Sequence, residues 1–167
     1  MTTILRTPRS WPSILLRGDR PTDPLDLAAA QAAGAFVGLR RAVHDLGPAG
    51  TIAAIAASGL RGRGGAGFPT AEKWRAAAAV DASRRVVVGN GYGADPSSQT
   101  DRTLMELSPY AILEGALIAA TAIGADQAII AVRAESTAAI RALETAIGRL
   151  VAAGLAGEDM LGSGHWI

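Results

Sequence analysis

The sequence contains no cysteine. That excludes disulfides, a thiolate metal site, a cysteine nucleophile and any iron–sulfur cluster held by this chain. Histidine occurs only at His44 and His165, far apart along the chain, and no metal-ligand cluster is read from them. His44 lies beside Asp45 on an expected helix and reads as a solvated helix histidine rather than a catalytic one. Lysine occurs once, at Lys73; every other cation is arginine. Charges nearly cancel, at net +1, so no electrostatic case exists for nucleic acid or an anionic membrane. No apolar run approaches the ~18–20 residues that span a bilayer. There is no internal repeat, and alanine bias is the only low-complexity signal. The 167 residues suffice for one domain with a modest core.

What the chain does have is glycine in one place. Residues 59–74 read Gly-Leu-Arg-Gly-Arg-Gly-Gly-Ala-Gly-Phe-Pro-Thr-Ala-Glu-Lys-Trp. Without a Cβ, Gly62, Gly64, Gly65 and Gly67 can take positive φ and lie against a ligand. Phe68-Pro69-Thr70 then leads into a helix-favouring run, with Thr70 as the expected N-cap. A glycine loop feeding a helix N-terminus offers free N–H groups and the positive end of the helix dipole to an anion. Arg61, Arg63 and Lys73 add positive charge. The expected guest is a nucleotide or flavin. A flexible linker is the bland alternative, but linkers mix serine with glycine, and Phe68, Pro69 and Trp74 would anchor this one. The lone Lys73 suits a compact point charge on a flexible stem, or is there by chance.

This segment, with Lys73-Trp74, resembles the nucleotide loop of the flavin-bearing, NADH-oxidising subunit of respiratory complex I and of related NAD-linked hydrogenase and formate dehydrogenase subunits. The resemblance extends through Val86-Val87-Val88, Asn90, Pro96, Asp101-Arg102, Leu113-Glu114-Gly115, Ala122–Ala125, and Arg133 with Glu135. It covers roughly residues 45–164. Ion-pumping ferredoxin–NAD oxidoreductases share a looser version that also reads Asn-Gly where Asn90-Gly91 stands.

The resemblance implies FMN and NAD as cofactors. Gly62, Gly64, Gly65 and Gly67 would approach the cofactor. Arg63 and Lys73 would balance its charge, Phe68 would pack near the nicotinamide nucleotide, and Asn90 would hydrogen-bond the flavin. No catalytic residue is assigned. The chain departs from the pattern after Asn90. Where complex I subunits carry Ala-Asp-Glu-(Gly or Ser)-Glu-Pro, it has Gly91, Tyr92, Gly93, Ala94 and Asp95. Two acids are gone and the last is shortened to Asp95. Tyr92 could stack on a ring but supplies no carboxylate. That departure touches NADH oxidation more than nucleotide-shaped binding.

Taken in order, residues 1–24 are expected to form an irregular arm, since Pro8, Pro12, Pro21 and Pro24 deny regular structure. Such an arm fits better than an organelle transit peptide. The run Ile14-Leu15-Leu16 is too short for a secretory h-region, and the protein is expected to be cytoplasmic. Residues 25–46 fit one helical face, weakened at Gly34 and Gly38 or letting another backbone come close there. Gly47-Pro48 breaks the chain and starts a short helix. Further expected elements are a helix over 71–80, a buried parallel strand at 86–88, a helix from Ser108-Pro109 to Ile123 ended by Gly124, a strand over 128–132, and a helix from Glu135 to Ala153 with Gly154 beyond it. Leu161-Gly162-Ser163-Gly164 then resembles the family's approach to its next strand. Strands and helix over 86–132 form one βαβ unit. Residues 89–101 are expected to lie as a loop beyond the strand ends, where cofactors sit in open α/β sheets.

The expected fold is therefore α/β: a Rossmann-like partial parallel sheet with flanking helices, cut short. Residues 25–167 would be the N-terminal part of an FMN/NADH-binding domain. The expected function is the N-terminal part of an FMN-dependent NADH dehydrogenase subunit, inactive alone. Its partners would be an iron–sulfur electron-transfer subunit or a chain completing the sheet, with no nucleic acid and no membrane span. The alternative is a non-catalytic binding or assembly subunit that keeps the fold.

Overall fold

The computed structural model describes Leu15 and residues 22–63, 65–93, 95, 97–165 and 167. The proposed arm therefore lies almost wholly outside the described residues, as do Gly64, Ala94 and Pro96. Two strands, β1 (Val86–Gly91) and β2 (Gln127–Val132), pair in parallel, with Val86 opposite Gln127 and Gly91 opposite Val132. Between them run helices α5 (Thr100–Leu107) and α6 (Pro109–Ile123), and α7 (Thr137–Ala152) follows. The expected α/β architecture is present.

The helix ends follow from local chemistry. Pro109 occupies the first turn of α6, where its missing N–H costs nothing. Gly124 closes that helix in the left-handed region, at φ +64°. Ser108 stands at the N-cap position, but its side chain makes no capping bond. β1 runs three residues beyond the valines, so Asn90 and Gly91 are strand rather than loop. α5, which the sequence did not reveal, occupies the end of the expected loop.

Helices α5, α6 and α7 cover one sheet face. Pleating sends Val87, Gly89 and Gly91 to the same side as Ala128, Ile130 and Val132. A Cβ at Gly91 would sit 2.8 Å from Met105 Sδ of α5, and one at Gly89 would sit 2.8 Å from Ile130 Cδ1. Glycine at 91 lets α5 seat directly on the strand, and glycine at 89 leaves room for the Ile130 side chain. The opposite face carries Val86, Val88 and Ile129, all exposed, Val88 at 58%. Parallel sheets are ordinarily covered on both faces; this one is covered on one.

The segment expected as a single helix over 25–46 is broken. α1 (Leu27–Ala32) and α2 (Val37–Arg40) are separated by Gly34 at φ +97° and Phe36 at φ +65°, and a π-helical turn (Arg41–Leu46) follows. The break buries Phe36 completely against Tyr110, ring centroids 6.0 Å apart and edge to face. The Tyr110 hydroxyl and the Arg149 guanidinium both donate to the Leu25 carbonyl. Burial pushes the Tyr110 phenol up, and Arg149 partly opposes the shift. Gly38 admits a side chain rather than a backbone. A Cβ there would meet Glu114 Oε1 at 3.1 Å and Ile118 Cδ1 at 3.3 Å, while Glu114 Oε1 accepts the Leu39 N–H at 3.1 Å. That bond explains the placing of Glu114, which otherwise reads only as part of a motif. Replacing it with alanine leaves the Leu39 amide without that acceptor. We expect a loss of about 1–3 kcal/mol in urea unfolding, and Glu114→Gln to retain most of the stability.

α3 (Gly47–Ala57) starts where Gly47-Pro48 predicted, and α4 (Thr70–Ala79) follows the glycine stretch. Ile52, Ala71 and Ala122 form a small second core with Trp74 against it. The Arg85 guanidinium donates to the carbonyls of Ala78 and Val80, tying down the end of α4. Past α7, Gly154 turns at φ +66° as expected. The expected approach to a further strand is instead a 3-10 turn at Met160–Gly162 that buries Met160. Among the described residues no single helix is long and apolar enough to cross a membrane. α5 and α6 reach that length only together, bent by 98°.

Candidate functional site

The glycine stretch is a closed loop on a pinned base. Arg61 and Pro69 form an antiparallel bridge, the Gly62 N–H donates to Phe68 O at 2.9 Å, and the Thr70 N–H donates to Leu60 O at 3.0 Å. Arg61 Nε donates to Gly67 O at 2.6 Å, so Arg61 braces the loop from within. Gly65 and Gly67 hold φ +126° and +59°, and a Cβ at Gly65 would meet nothing within 4 Å. The loop is open to solvent rather than folded onto this chain. Among the described residues, the N–H groups of Gly65, Ala66 and Gly67 have no protein acceptor. Gly64 lies outside the described residues.

α4 begins one residue earlier than expected. Pro69 takes the N-cap position and Thr70 the first helical turn, with no side-chain cap. The Thr70 amide is held by Leu60 O, and among the described residues the Ala71 and Glu72 amides have no protein acceptor. Arg63 and Lys73 are exposed and, among the described residues, form no ion pair. Glu72, the acid of the first turn, is held by Arg75 at 2.5 Å. Trp74 anchors the helix, but Phe68 is 58% exposed and anchors nothing.

The strand ends form a second group. Asn90 Oδ1 accepts the Tyr92 N–H at 3.1 Å, which turns the chain sharply after β1, and Gly93 continues the turn at φ +61°. The Arg133 guanidinium lies over the Tyr92 ring, 5.3 Å from its centroid. Arg133 Nε is 3.7 Å from the exposed Glu135 carboxylate. Asp95 accepts the Ser97 hydroxyl and amide at 2.7 and 2.9 Å, bonds that hold its carboxyl below the usual range. Sequence reasoning missed the Tyr92–Arg133 stack. The one available signal was that Tyr92 and Arg133 follow the ends of two strands that pair in parallel. The structure brings Asn90, Tyr92 and Arg133 together, and separately Gly62, Gly65, Gly67 and Phe68. Among the described residues no hydrogen bond or ion pair joins the two groups.

An apolar groove of about 220 Å³ lies elsewhere, between α6, α7 and β2. Among the described residues no group of three His, Asp or Glu is placed to hold a metal.

Residues 55–160 match the family model described as the Nuo51 FMN-binding domain. The chain belongs to that family. It is similar to an NADH-quinone oxidoreductase subunit of Rhizobium meliloti, 36% identical over 90% of this chain and 36% of the relative. It is also similar to the NADP-reducing hydrogenase subunit HndC of Solidesulfovibrio fructosivorans, 38% identical over 85% of this chain and 29% of that one. Among solved structures, an NAD+-reducing [NiFe]-hydrogenase in the H2-reduced state superposes with a TM-score of 0.66. It is 36% identical, over 81% of this chain and 23% of the hydrogenase chain. The chain thus spans about a third of the length of the curated relatives it matches. Those relatives are, by name, subunits of larger assemblies.

FMN presents a phosphate dianion and a flat ring system. Open amides at Gly65–Gly67, an uncapped α4 N-terminus and the exposed cations of Arg63 and Lys73 suit the phosphate. At the strand ends, Asn90 keeps its amide N–H groups free among the described residues, since only Oδ1 is used. Tyr92 is 53% exposed, with ring surface available for stacking.

Proposed function

We propose that this chain carries the glycine-loop part of an FMN-dependent, NADH-oxidising electron-transfer subunit, and that alone it does not oxidise NADH. The observation that carries the reading is the open loop of Gly65 and Gly67, pinned at Gly62 and running into a helix with no side-chain cap, inside a stretch that matches an FMN-binding family. Gly64 shares the assignment from sequence. When bound, FMN accepts a hydride and releases electrons singly. The chain's own residues would bind and orient it. Arg63 and Lys73 offset phosphate charge, Asn90 donates its side-chain N–H to the ring system, Tyr92 stacks, and Phe68 packs near the nicotinamide nucleotide. Of the acids in the run after Asn90, Asp95 alone remains, one methylene shorter than the family's glutamate. An iron–sulfur subunit taking the electrons, a polypeptide completing the sheet and a cytoplasmic location belong to the same proposal.

The test is spectroscopic. The purified chain should quench FMN fluorescence saturably, and NADH should not bleach the bound flavin. Absence of any quenching would overturn the binding, and bleaching would overturn the inactivity. Restoring an acid should be tried at Tyr92 rather than Gly93. Gly93 sits at φ +61°, and a side chain there would point toward Asp101, whose Oδ2 is 3.5 Å from the Cβ position. Tyr92→Asp is expected to raise NADH bleaching only where flavin is bound.

A second reading, a binding or assembly subunit without flavin, is favoured by the same strand end. Its Asp95 is satisfied by Ser97 and Tyr92 is occupied by Arg133. Under that reading FMN fluorescence stays unchanged.

A further inference from the structure

We infer that Arg61 is a positioning residue of the glycine loop, which shapes the anion site through the Gly67 carbonyl rather than by touching the phosphate. The inference rests on the flavin-binding reading for its ligand, while the bracing itself is measured without one. In the sequence, Arg61, Arg63 and Lys73 are three equivalent cations around the loop. The structure separates them. Among the described residues the side chains of Arg63 and Lys73 make no hydrogen bond or ion pair. Arg61 is turned onto its own loop, with Nε 2.6 Å from Gly67 O.

That bond sits where the loop has least else to hold it. The base is closed by backbone alone, from the Gly62 N–H to Phe68 O and from the Thr70 N–H to Leu60 O. Beyond the base, among the described residues, Arg61 is the one side chain that bonds to residues 62–68. Gly65 and Gly67 stand at φ +126° and +59°, with no Cβ to restrict either. Every residue that moves freely before binding has to be ordered by the ligand, and that cost weakens affinity.

The brace also sets the direction of a donor. The Gly67 carbonyl and the Phe68 N–H share one planar trans peptide and point opposite ways. Holding the carbonyl on Arg61 therefore turns the Phe68 N–H away from that side chain, and among the described residues it has no protein acceptor. It joins the free amides of Gly65, Ala66 and Gly67. Released from Arg61, the peptide can rotate and bring its oxygen among those donors, where it repels an anion.

The experiment uses the full chain. Glutamine carries its side-chain N–H the same number of bonds from the backbone as Arg61 Nε, without the charge, and methionine matches the length with neither. By fluorescence titration, Arg61→Gln is expected to bind FMN within about threefold of wild type, and Arg61→Met roughly tenfold more weakly. Arg141→Met, on the exposed side of α7, removes a distant surface charge and should bind as wild type does. Without ligand, trypsin should cut after Arg63 about fivefold faster in Arg61→Met than in Arg61→Gln, since an unbraced loop opens more often. Arg61→Ala takes the place of the methionine variant if circular dichroism shows that variant unfolded. Equal loss of affinity in the glutamine and methionine variants would make Arg61 a charge contact and overturn the inference. So would wild-type affinity in Arg61→Met, or equal cutting rates in the two. If the wild-type chain does not bind FMN, the flavin reading fails, and the cutting rates alone decide whether Arg61 holds the loop.

Discussion

Phe36→Ala is expected to lower the stability of the chain by about 3–5 kcal/mol, the range for removing a fully buried phenylalanine. Against the 5–15 kcal/mol of a typical domain, that is a large share. Urea denaturation followed by circular dichroism measures it. The side chain is 0% exposed, meets Tyr110 edge to face, and belongs to a cluster with Leu39, Leu113 and Leu150. Its backbone sits at φ +65°, where a non-glycine residue carries strain of ~1–2 kcal/mol. This gives a second expectation of opposite sign to the usual one. Glycine is ordinarily ~0.5–1 kcal/mol worse than alanine in regular structure. At position 36 glycine relieves the strain, so Phe36→Gly should be no less stable than Phe36→Ala. Phe36→Ala costing under ~1 kcal/mol, with the fold unchanged, would show that the broken first helix does not depend on this side chain.

Gly67→Val is expected to weaken FMN binding roughly five- to thirtyfold while leaving urea stability almost unchanged. The residue holds φ +59° at the end of the loop, where its carbonyl accepts Arg61 Nε. A β-branched residue is disfavoured there by ~1–2 kcal/mol, and each 1.4 kcal/mol is a tenfold change in binding. The loop is open to solvent, so the strain is relieved by local rearrangement and not by unfolding. Fluorescence titration of FMN against wild type and variant, beside matched denaturation curves, separates the two effects. Equal affinity in both proteins would remove the loop from the flavin site. Gly59→Val, also at positive φ but outside the bridged segment, controls for general loop strain.

Much of this was legible in the residues themselves. β-branched runs at Val86 and Ile129 marked strands, Pro48 and Pro109 marked helix starts, and Gly124 and Gly154 marked stops, because each has one backbone preference that context seldom overrides. The glycine loop was visible for the same reason. Other features depended on distant partners. Phe36 takes a left-handed conformation because Tyr110, 74 positions later, buries its ring. Glu114 caps Leu39 across 75 residues. α5 was missed because its polar start, Thr100-Asp101-Arg102, resembles a loop until Met105 packs against Gly91 of β1.

The amino-acid order by itself determined the family, the parallel α/β pattern and the place where a glycine loop runs into a helix N-terminus, since glycine content, turn residues and alternation act locally. Only the tertiary structure decided that the glycine loop stands open, that Arg133 stacks on Tyr92 where the family pattern carries acids, and that Glu114 reaches back to the Leu39 amide. Those outcomes depend on which surfaces meet across long separations, and no local preference encodes them.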